Sequence, residues 1–381
     1  MTEPVPSPWV PTWDAAAIDD LRARLARTRP PVTPPDTGWS EGVDAEYLAD
    51  LLAYWRDGFD FEAALAGIQR FPWFEAEVSP SVRLRFIHRE GVGARIPLLL
   101  CHGWPDSAWR YADVIDTLAD PAATGGDPGD AFDVVVPEMP GYGFSPAADP
   151  ALDAREVADA FASLMQTLGH DRYVIAGGDI GSAVARFVAL NHSDRVIAVH
   201  RMDVGIPVFT GDPASLAPDE RAFLAAVQSW SAAEGAYAAT HRTKPATIAA
   251  ALSDSPAGLA AWIVEKLQSW TDARGGVLGG ISRDAVLTLL TTTWVTNNIG
   301  PSMRMYRANG AIPSEDLLRK VERPSGFTLY PGDLLAPPRA WAERIAAVES
   351  FRVAERGGHF APREVPDEYA AELRDFFRAY R

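Results

Sequence analysis

Asp179 stands among small residues in the run Gly177-Gly178-Asp179-Ile180-Gly181-Ser182, after the apolar stretch Tyr173–Ala176 and before the helix-like stretch Ala183–Leu190. A strand that meets a helix at so sharp a turn thrusts its central side chain outward. Hydrolases of ester bonds carry serine at the centre of this small-x-nucleophile-x-small layout. A glycine-rich turn with Asp179 as a simple helix N-cap fits the same residues. A dinucleotide fingerprint fits less well, because Gly177-Gly178-x-x-Gly181 lacks the G-x-G-x-x-G spacing. Two more residues able to do chemistry follow strand-like runs: Asp333 in Leu329-Tyr-Pro-Gly-Asp333, and His359 in Arg356-Gly-Gly-His-Phe360. The C-terminal ends of parallel strands share one edge of a sheet, so Asp179, Asp333 and His359 should converge there. A nucleophile, an acid and a base in that chain order describe a covalent hydrolase.

A fourth segment supports that chemistry. The apolar run Ile96–Cys101 ends in His102-Gly103-Trp104-Pro105. A His-Gly pair at a strand exit can turn the backbone so that the Trp104 N–H points into the site. With the Ile180 N–H it would form an oxyanion hole. His102 itself reads as a structural residue that fixes the loop.

These residues need a parallel sheet to hold them. Val82–His88 alternates at period two, while Ile96–Cys101, Val134–Val136, Tyr173–Ala176 and Arg195–His200 are short apolar runs suited to strands covered on both faces. Val157, Phe161, Leu164, Met165 and Leu168 mark one face of an intervening helix. The alternation predicts a doubly wound α/β sheet over residues 81–204, resuming over 313–381 with Phe327–Tyr330, Phe351–Ala354 and a closing helix bearing Tyr369, Leu373, Phe376, Phe377 and Tyr380. Residues 205–312 break the pattern and read as a helical insertion punctuated at Pro245, Pro256 and Gly300, hence a cap over the site. Residues 1–80 read as a meander of helices and Pro-rich connections packed on the core. Ile18, Leu21 and Leu25 mark one helix, and Tyr47, Leu51, Leu52, Tyr54 and Trp55 a second. The prolines at 30, 31, 34 and 35 suggest a linker, but Trp39, Trp55, Phe71, Trp73 and Phe74 argue for packing.

Composition narrows the partners. Of 381 residues, 47% are hydrophobic and 23% charged, and 35 basic against 51 acidic residues leave a formal charge of −16. That sign disfavours nucleic acid and anionic membranes as partners and leaves a neutral small molecule unopposed. Cys101 is the single cysteine, so an intramolecular disulfide and a thiolate metal site are both out of reach. No signal peptide is readable, and apolar runs of about six residues fall far short of the roughly 18 of a spanning helix. A cytoplasmic protein is expected.

The whole set of motifs resembles the epoxide hydrolases of the microsomal type, which belong to the α/β-hydrolase superfamily and carry an N-terminal meander. The resemblance rests on His102-Gly-Trp-Pro105, Pro137-Glu-Met-Pro-Gly-Tyr-Gly-Phe-Ser145 and the elbow at 177–182. In the cap it rests on Glu234-Gly-Ala-Tyr237, Thr243-Lys-Pro245, Asp254-Ser-Pro-Ala-Gly-Leu-Ala260, Trp294-Val-Thr and Arg304-Met-Tyr306-Arg-Ala-Asn309, and finally on the Arg356–Phe360 run. It implies an α/β-hydrolase fold with a helical cap, Asp179 as nucleophile, His359 as base with Asp333 as its partner, and Tyr237 and Tyr306 as the paired cap tyrosines. Gly103 and Pro105, with His102, would shape the pocket. It implies no cofactor and no metal; the partners would be a small-molecule epoxide and water, with no nucleic acid and no membrane. Membrane-bound relatives carry an anchor not seen here, so a soluble enzyme is expected, and a homodimer is compatible with it. Soluble relatives of this kind serve either epoxide catabolism or the biosynthesis of antibiotics such as enediynes.

The implied chemistry suits these residue types. Displacement at an epoxide carbon by serine would leave an inert ether, whereas a carboxylate leaves an ester that water can attack. Asp is ionised at neutral pH and needs no base for the first step, so His359 is free to activate the water of the second. Ring opening makes an alkoxide, and two phenols still protonated at pH 7 can supply its proton; taken without the resemblance, Tyr237 and Tyr306 read as helix packing. A haloalkane dehalogenase shares the Asp nucleophile, but it favours a Trp beside the nucleophile, where this chain has Ile180. A serine esterase lacks its serine here. A non-catalytic binding protein of the same fold is the alternative from another class, against which the intact triad speaks.

Overall fold

The computed structural model describes residues 5–32, 37–93, 95–205 and 207–381. Nine strands form one sheet: β1 Ser7–Pro8, β2 Trp73–Ser79, β3 Val82–Arg89, β4 Arg95–Cys101, β5 Ala131–Pro137, β6 Tyr173–Gly177, β7 Val196–Arg201, β8 Val321–Leu329 and β9 Ala346–Val353. Their spatial order is β1-β2-β3-β5-β4-β6-β7-β8-β9. β1, β2 and β3 run antiparallel to their neighbours, and every pair from β5 through β9 is parallel. The central strands are fully buried, which is why β5 and β6 read as continuous apolar runs.

The helices start where the sequence supplies caps. Asp14, Asp44 and Asp60 accept backbone N–H groups at the starts of Ala15–Ala26, Ala45–Asp57 and Phe61–Gln69, and Asp153 forms a full capping box before Ala154–Thr167. In the cap, Pro245 and Pro256 each take the first position of a helix, Pro245–Asp254 and Pro256–Ser269, where the missing N–H costs nothing. Further cap helices are Pro218–Ala233, Ala236–Thr243, Arg283–Thr296 and Ile299–Asn309. No single helix among the described residues is long and apolar enough to cross a membrane.

Three features of the N-terminal and C-terminal segments differ from the sequence reading. The first eighty residues contribute β1 and β2 to the main sheet and a third helix, Phe61–Gln69. The antiparallel edge they build has mixed burial and gave no clean alternation. β8 begins six residues earlier than its apolar run, because Pro324 and Gly326 interrupt the pattern where its pairing with β9 shifts register. Of the prolines read as a connection, 34 and 35 lie outside the described residues.

The N-terminal segment also holds the cap. The buried Trp55 indole donates to Thr291 Oγ1 at 2.9 Å, the Tyr54 hydroxyl to Asp284 at 2.9 Å, and Arg24 pairs with Asp254 at 2.7 Å.

Candidate active site

β6 ends at Gly177 and the helix Ile180–Asn191 begins three residues later, so the chain reverses within Gly178 and Asp179. Asp179 has φ 57° and ψ −133°, a region that residues with a Cβ rarely occupy. Holding it there costs about 1–3 kcal/mol and turns the carboxylate away from the helix it would otherwise cap. Asp179 makes no side-chain capping bond at the helix start. The turn packs so tightly that a Cβ on Gly181 would overlap the Cys101 carbonyl, and one on Gly103 would overlap the Asp179 carboxylate. Glycine at both positions follows from close approach.

The structure brings Asp179, Asp333 and His359 together at the C-terminal edge of the sheet. His359 Nδ1 lies 2.8 Å from Asp333 Oδ1, and its Nε2 lies 3.5 Å from Asp179 Oδ2. The Trp104 N–H donates to Asp179 Oδ1 at 2.8 Å, and the Ile180 N–H reaches the same carboxylate. Burial works to raise the Asp179 pKa, but hydrogen bonding and charge from His359, with the two N–H groups, hold it below the usual carboxylate range. Burial works to lower His359, but Asp333 and Asp179 together raise it to about 10. The arrangement favours the charged forms of both Asp179 and His359.

Tyr237 and Tyr306 come down from the cap onto Trp104. The Tyr237 ring stacks on Trp104 at 5.4 Å, the Tyr306 ring meets it edge-on at 5.9 Å, and the two tyrosine rings lie 6.0 Å apart with their hydroxyls interacting. Burial, then the Asp179 charge, raise the Tyr237 phenol, and Tyr306 is raised well above its usual value by burial, Tyr237 and Asp179. Both are neutral phenols close enough to feel the Asp179 charge. His102 is fully buried, faces the Gly103 carbonyl with Nδ1 and accepts the Met139 N–H at Nε2, so it fixes the loop. The Trp104–Pro105 peptide is cis, and Pro105 lines a small cavity with Trp104, Tyr142, Ile263, Leu289 and Asn298.

Several supporting residues were missed in the sequence. Asp203, after β7, accepts the Asp179 N–H at 2.9 Å and the Gly205 N–H at 2.7 Å, which pins the elbow. Arg110 is fully buried and donates to the His359 carbonyl. The Trp270 carbonyl accepts the His359 N–H at 2.8 Å, and its ring touches both His359 and Tyr237. Glu138 accepts the Ala108 N–H at 2.9 Å and lies 3.4 Å from His102. His241, buried in the cap, contacts Trp104, Tyr237 and Tyr306. Glu138 stood inside a quoted motif without a role, and the others gave no signal at all.

Known proteins resemble this chain along most of its length. The family description "Epoxide hydrolase N terminus" matches residues 6–111, and "alpha/beta hydrolase fold" matches residues 96–361. The chain is 35% identical to a protein of Stigmatella aurantiaca over 96% of its own length and 83% of the relative's. It is 31% identical to Epoxide hydrolase 1 of Sus scrofa over 94% and 86%. The solved structure of juvenile hormone epoxide hydrolase from Bombyx mori matches it with a TM-score of 0.89 at 26% identity, covering 99% of this chain and 95% of that one. With both segments matched in order and relatives alike over most of their length, this chain belongs to the epoxide hydrolases of the α/β-hydrolase fold.

Proposed function

We propose that Asp179 is the nucleophile of this epoxide hydrolase, His359 its base, Asp333 the partner of that base, and Tyr237 and Tyr306 the proton donors. The supporting observation is His359 held between Asp333 at 2.8 Å and Asp179 at 3.5 Å, with Asp179 backed by the Trp104 and Ile180 N–H groups.

Asp179 attacks an epoxide carbon, the C–O bond breaks, and a cap phenol protonates the departing oxygen. The Asp179 charge disappears into the ester. His359 then keeps Asp333 as a neighbour but loses the carboxylate that helped to raise its pKa, while burial still opposes its charge. It releases a proton, which restores the phenol, and becomes a neutral base. Alkylation thus creates the base that the next step requires. Water attacks the ester carbonyl and gives its proton to His359, and the oxyanion on Asp179 is held by the Trp104 and Ile180 N–H groups. Collapse expels the diol, which takes the proton from His359, and the regenerated Asp179 carboxyl returns its own proton to the imidazole. The ring faces of Trp104, Tyr237, Trp270 and Tyr306 suit an epoxide with an apolar or aromatic substituent.

A single turnover of styrene oxide with excess enzyme in ¹⁸O water tests the covalent route. The diol should emerge largely unlabelled, with the label in the peptide containing Asp179. Labelled diol in the first turnover and an unlabelled peptide would overturn the assignment of Asp179.

A further inference from the structure

At the opposite edge of the sheet from the triad, three other chemistry-bearing side chains converge. β3 ends near His88, β5 begins near Asp133, and the loop after the helix Ala154–Thr167 turns at Gly169 to present His170 just before β6. His88 Nε2 lies 3.4 Å from Asp133 Oδ1, and His170 Nε2 lies 3.4 Å from Asp133 Oδ2. The three donor atoms fall within 4.8 Å of one another, and the two rings stand 5.7 Å apart at 89°. Both Nε2 atoms are buried, and neither has a hydrogen-bond partner among the described residues.

At 3.4 Å each histidine–carboxylate contact is longer than a full hydrogen bond. An imidazolium paired with a carboxylate closes to about 2.7–2.9 Å, and a buried ring nitrogen left without a partner costs about 1–3 kcal/mol. A shared cation satisfies all three groups at once. Zinc holds nitrogen and oxygen ligands at about 2.0–2.2 Å, and tetrahedral angles then place neighbouring ligand atoms roughly 3.4 Å apart. Both histidine–carboxylate separations have that value, each to a different oxygen of Asp133, so the carboxylate would turn to present one oxygen to the ion or bind it through both. Asp133 Oδ1 is also oriented by the Gly91 N–H at 3.3 Å, the kind of outer hydrogen bond that fixes a metal-binding carboxylate. Arg95 is the cation whose field reaches Asp133 and His170; its guanidinium is directed to the Gly91 carbonyl at 2.9 Å and to Glu90 at 3.8 Å.

We propose that His88, Asp133 and His170 bind one divalent first-row transition ion, zinc foremost, with water completing the coordination. Two imidazoles and one carboxylate suit such an ion and not calcium or magnesium, which take oxygen ligands. The side chains keep 15%, 7% and 13% of their surface exposed while both Nε2 atoms are buried, so the coordinating water would be enclosed with the ion. The site is structural: it ties the antiparallel strand β3 to the parallel strand β5 and to the loop that feeds β6. The length of β6 and the elbow separates it from Asp179 by roughly 20 Å.

Chelator-treated full-length protein, titrated with zinc chloride in a calorimeter and followed by thermal unfolding, tests this. The wild type should bind one zinc per chain and unfold at a temperature that rises with zinc. His170→Gln should weaken binding by at least about tenfold, and the double variant His88→Gln/His170→Gln should lose the thermal response. Epoxide turnover of His170→Gln without zinc should match that of the wild type. Absence of zinc binding by the wild type at millimolar zinc would overturn the proposal. So would an undiminished response in His170→Gln, which decides the matter if the double variant does not fold; zinc held by the triad would behave in that way and would block turnover.

Discussion

Each half of the active site contains a buried histidine among aromatic rings, and their surroundings have opposite character. His359, on the hydrolase body, sits between Asp333 and Asp179 and is raised to about 10. His241, on the cap, has no carboxylate beside it among the described residues; burial and then the charge of Lys266 lower it to about 3. Lys266 itself lies over the Tyr237 ring at 4.9 Å and pairs with Glu265. The Trp262 indole donates to His241 Nε2 at 3.2 Å, which fits a neutral imidazole. The body thus concentrates charge around Asp179 and His359, and the cap meets them with the neutral Tyr237, Tyr306 and His241, its cation Lys266 being paired with Glu265. A cap that brought a second cation would compete with His359 for Asp179, and one that brought an anion would repel the nucleophile.

The body side of this comparison carries the largest expected effects. Asp179→Ala should lower turnover by more than about 10⁴-fold while circular dichroism stays native. His359→Gln should alkylate once and stall, adding one substrate mass in intact-protein mass spectrometry. An active Asp179→Ala, or a His359→Gln variant that gains no mass, would break the division of labour. The cap side should respond less. Positioned general acids contribute about 10²–10⁴-fold, so Tyr237→Phe/Tyr306→Phe should slow alkylation within that range, with each single change nearer its lower bound. Single-turnover tryptophan fluorescence reports the rate, since Trp104 stacks on Tyr237. Equal alkylation rates in the double variant and the wild type would return these phenols to a packing role.

Acid stability supplies the smallest and sharpest test. Below about pH 6.5 an unfolded His241 takes up a proton that the folded one refuses until about pH 3, so acid favours unfolding at this position. His359 has the opposite sign: its contribution is fully present below about 6.5 and is lost as the pH rises through about 10. His241→Gln should flatten the acid side of a stability–pH curve by up to about one proton and leave the alkaline side alone; His359→Gln should flatten the alkaline side, and also change the acid side by releasing Asp179 from the partner that holds it low. Denaturant melts between pH 4 and 10 measure both. Identical curves for the two variants would mean that the two histidines share one environment.

What was legible in the sequence had local causes. Asp179 announced itself because an exposed elbow requires small neighbours within two residues of it. Asp333 and His359 did so because each follows a strand through glycine. The parallel strands showed as apolar runs because both their faces are covered. β2 and the helix Phe61–Gln69 were not legible, since a strand of mixed burial near the sheet edge and a nine-residue helix resemble connections. Asp203, Arg110, Trp270 and His241 were invisible for a different reason: each acts through a contact made only in three dimensions. Arg110 reaches His359 across 249 positions of sequence, and no spacing rule spans that distance. The same holds for His88, Asp133 and His170, which come from three separate elements.

The backbone of Asp179 has a consequence for how this protein persists through mutation. At φ 57° and ψ −133° a glycine would rest where aspartate is strained. The codon for aspartate lies one base from a codon for glycine, so one point mutation would relieve the strain and remove the carboxylate together. It would leave the buried His359 and the Trp104 N–H without that acceptor, at about 1–3 kcal/mol for each buried polar group left unsatisfied. The strained backbone of Asp179 is therefore held in place by the same contacts that assemble the site.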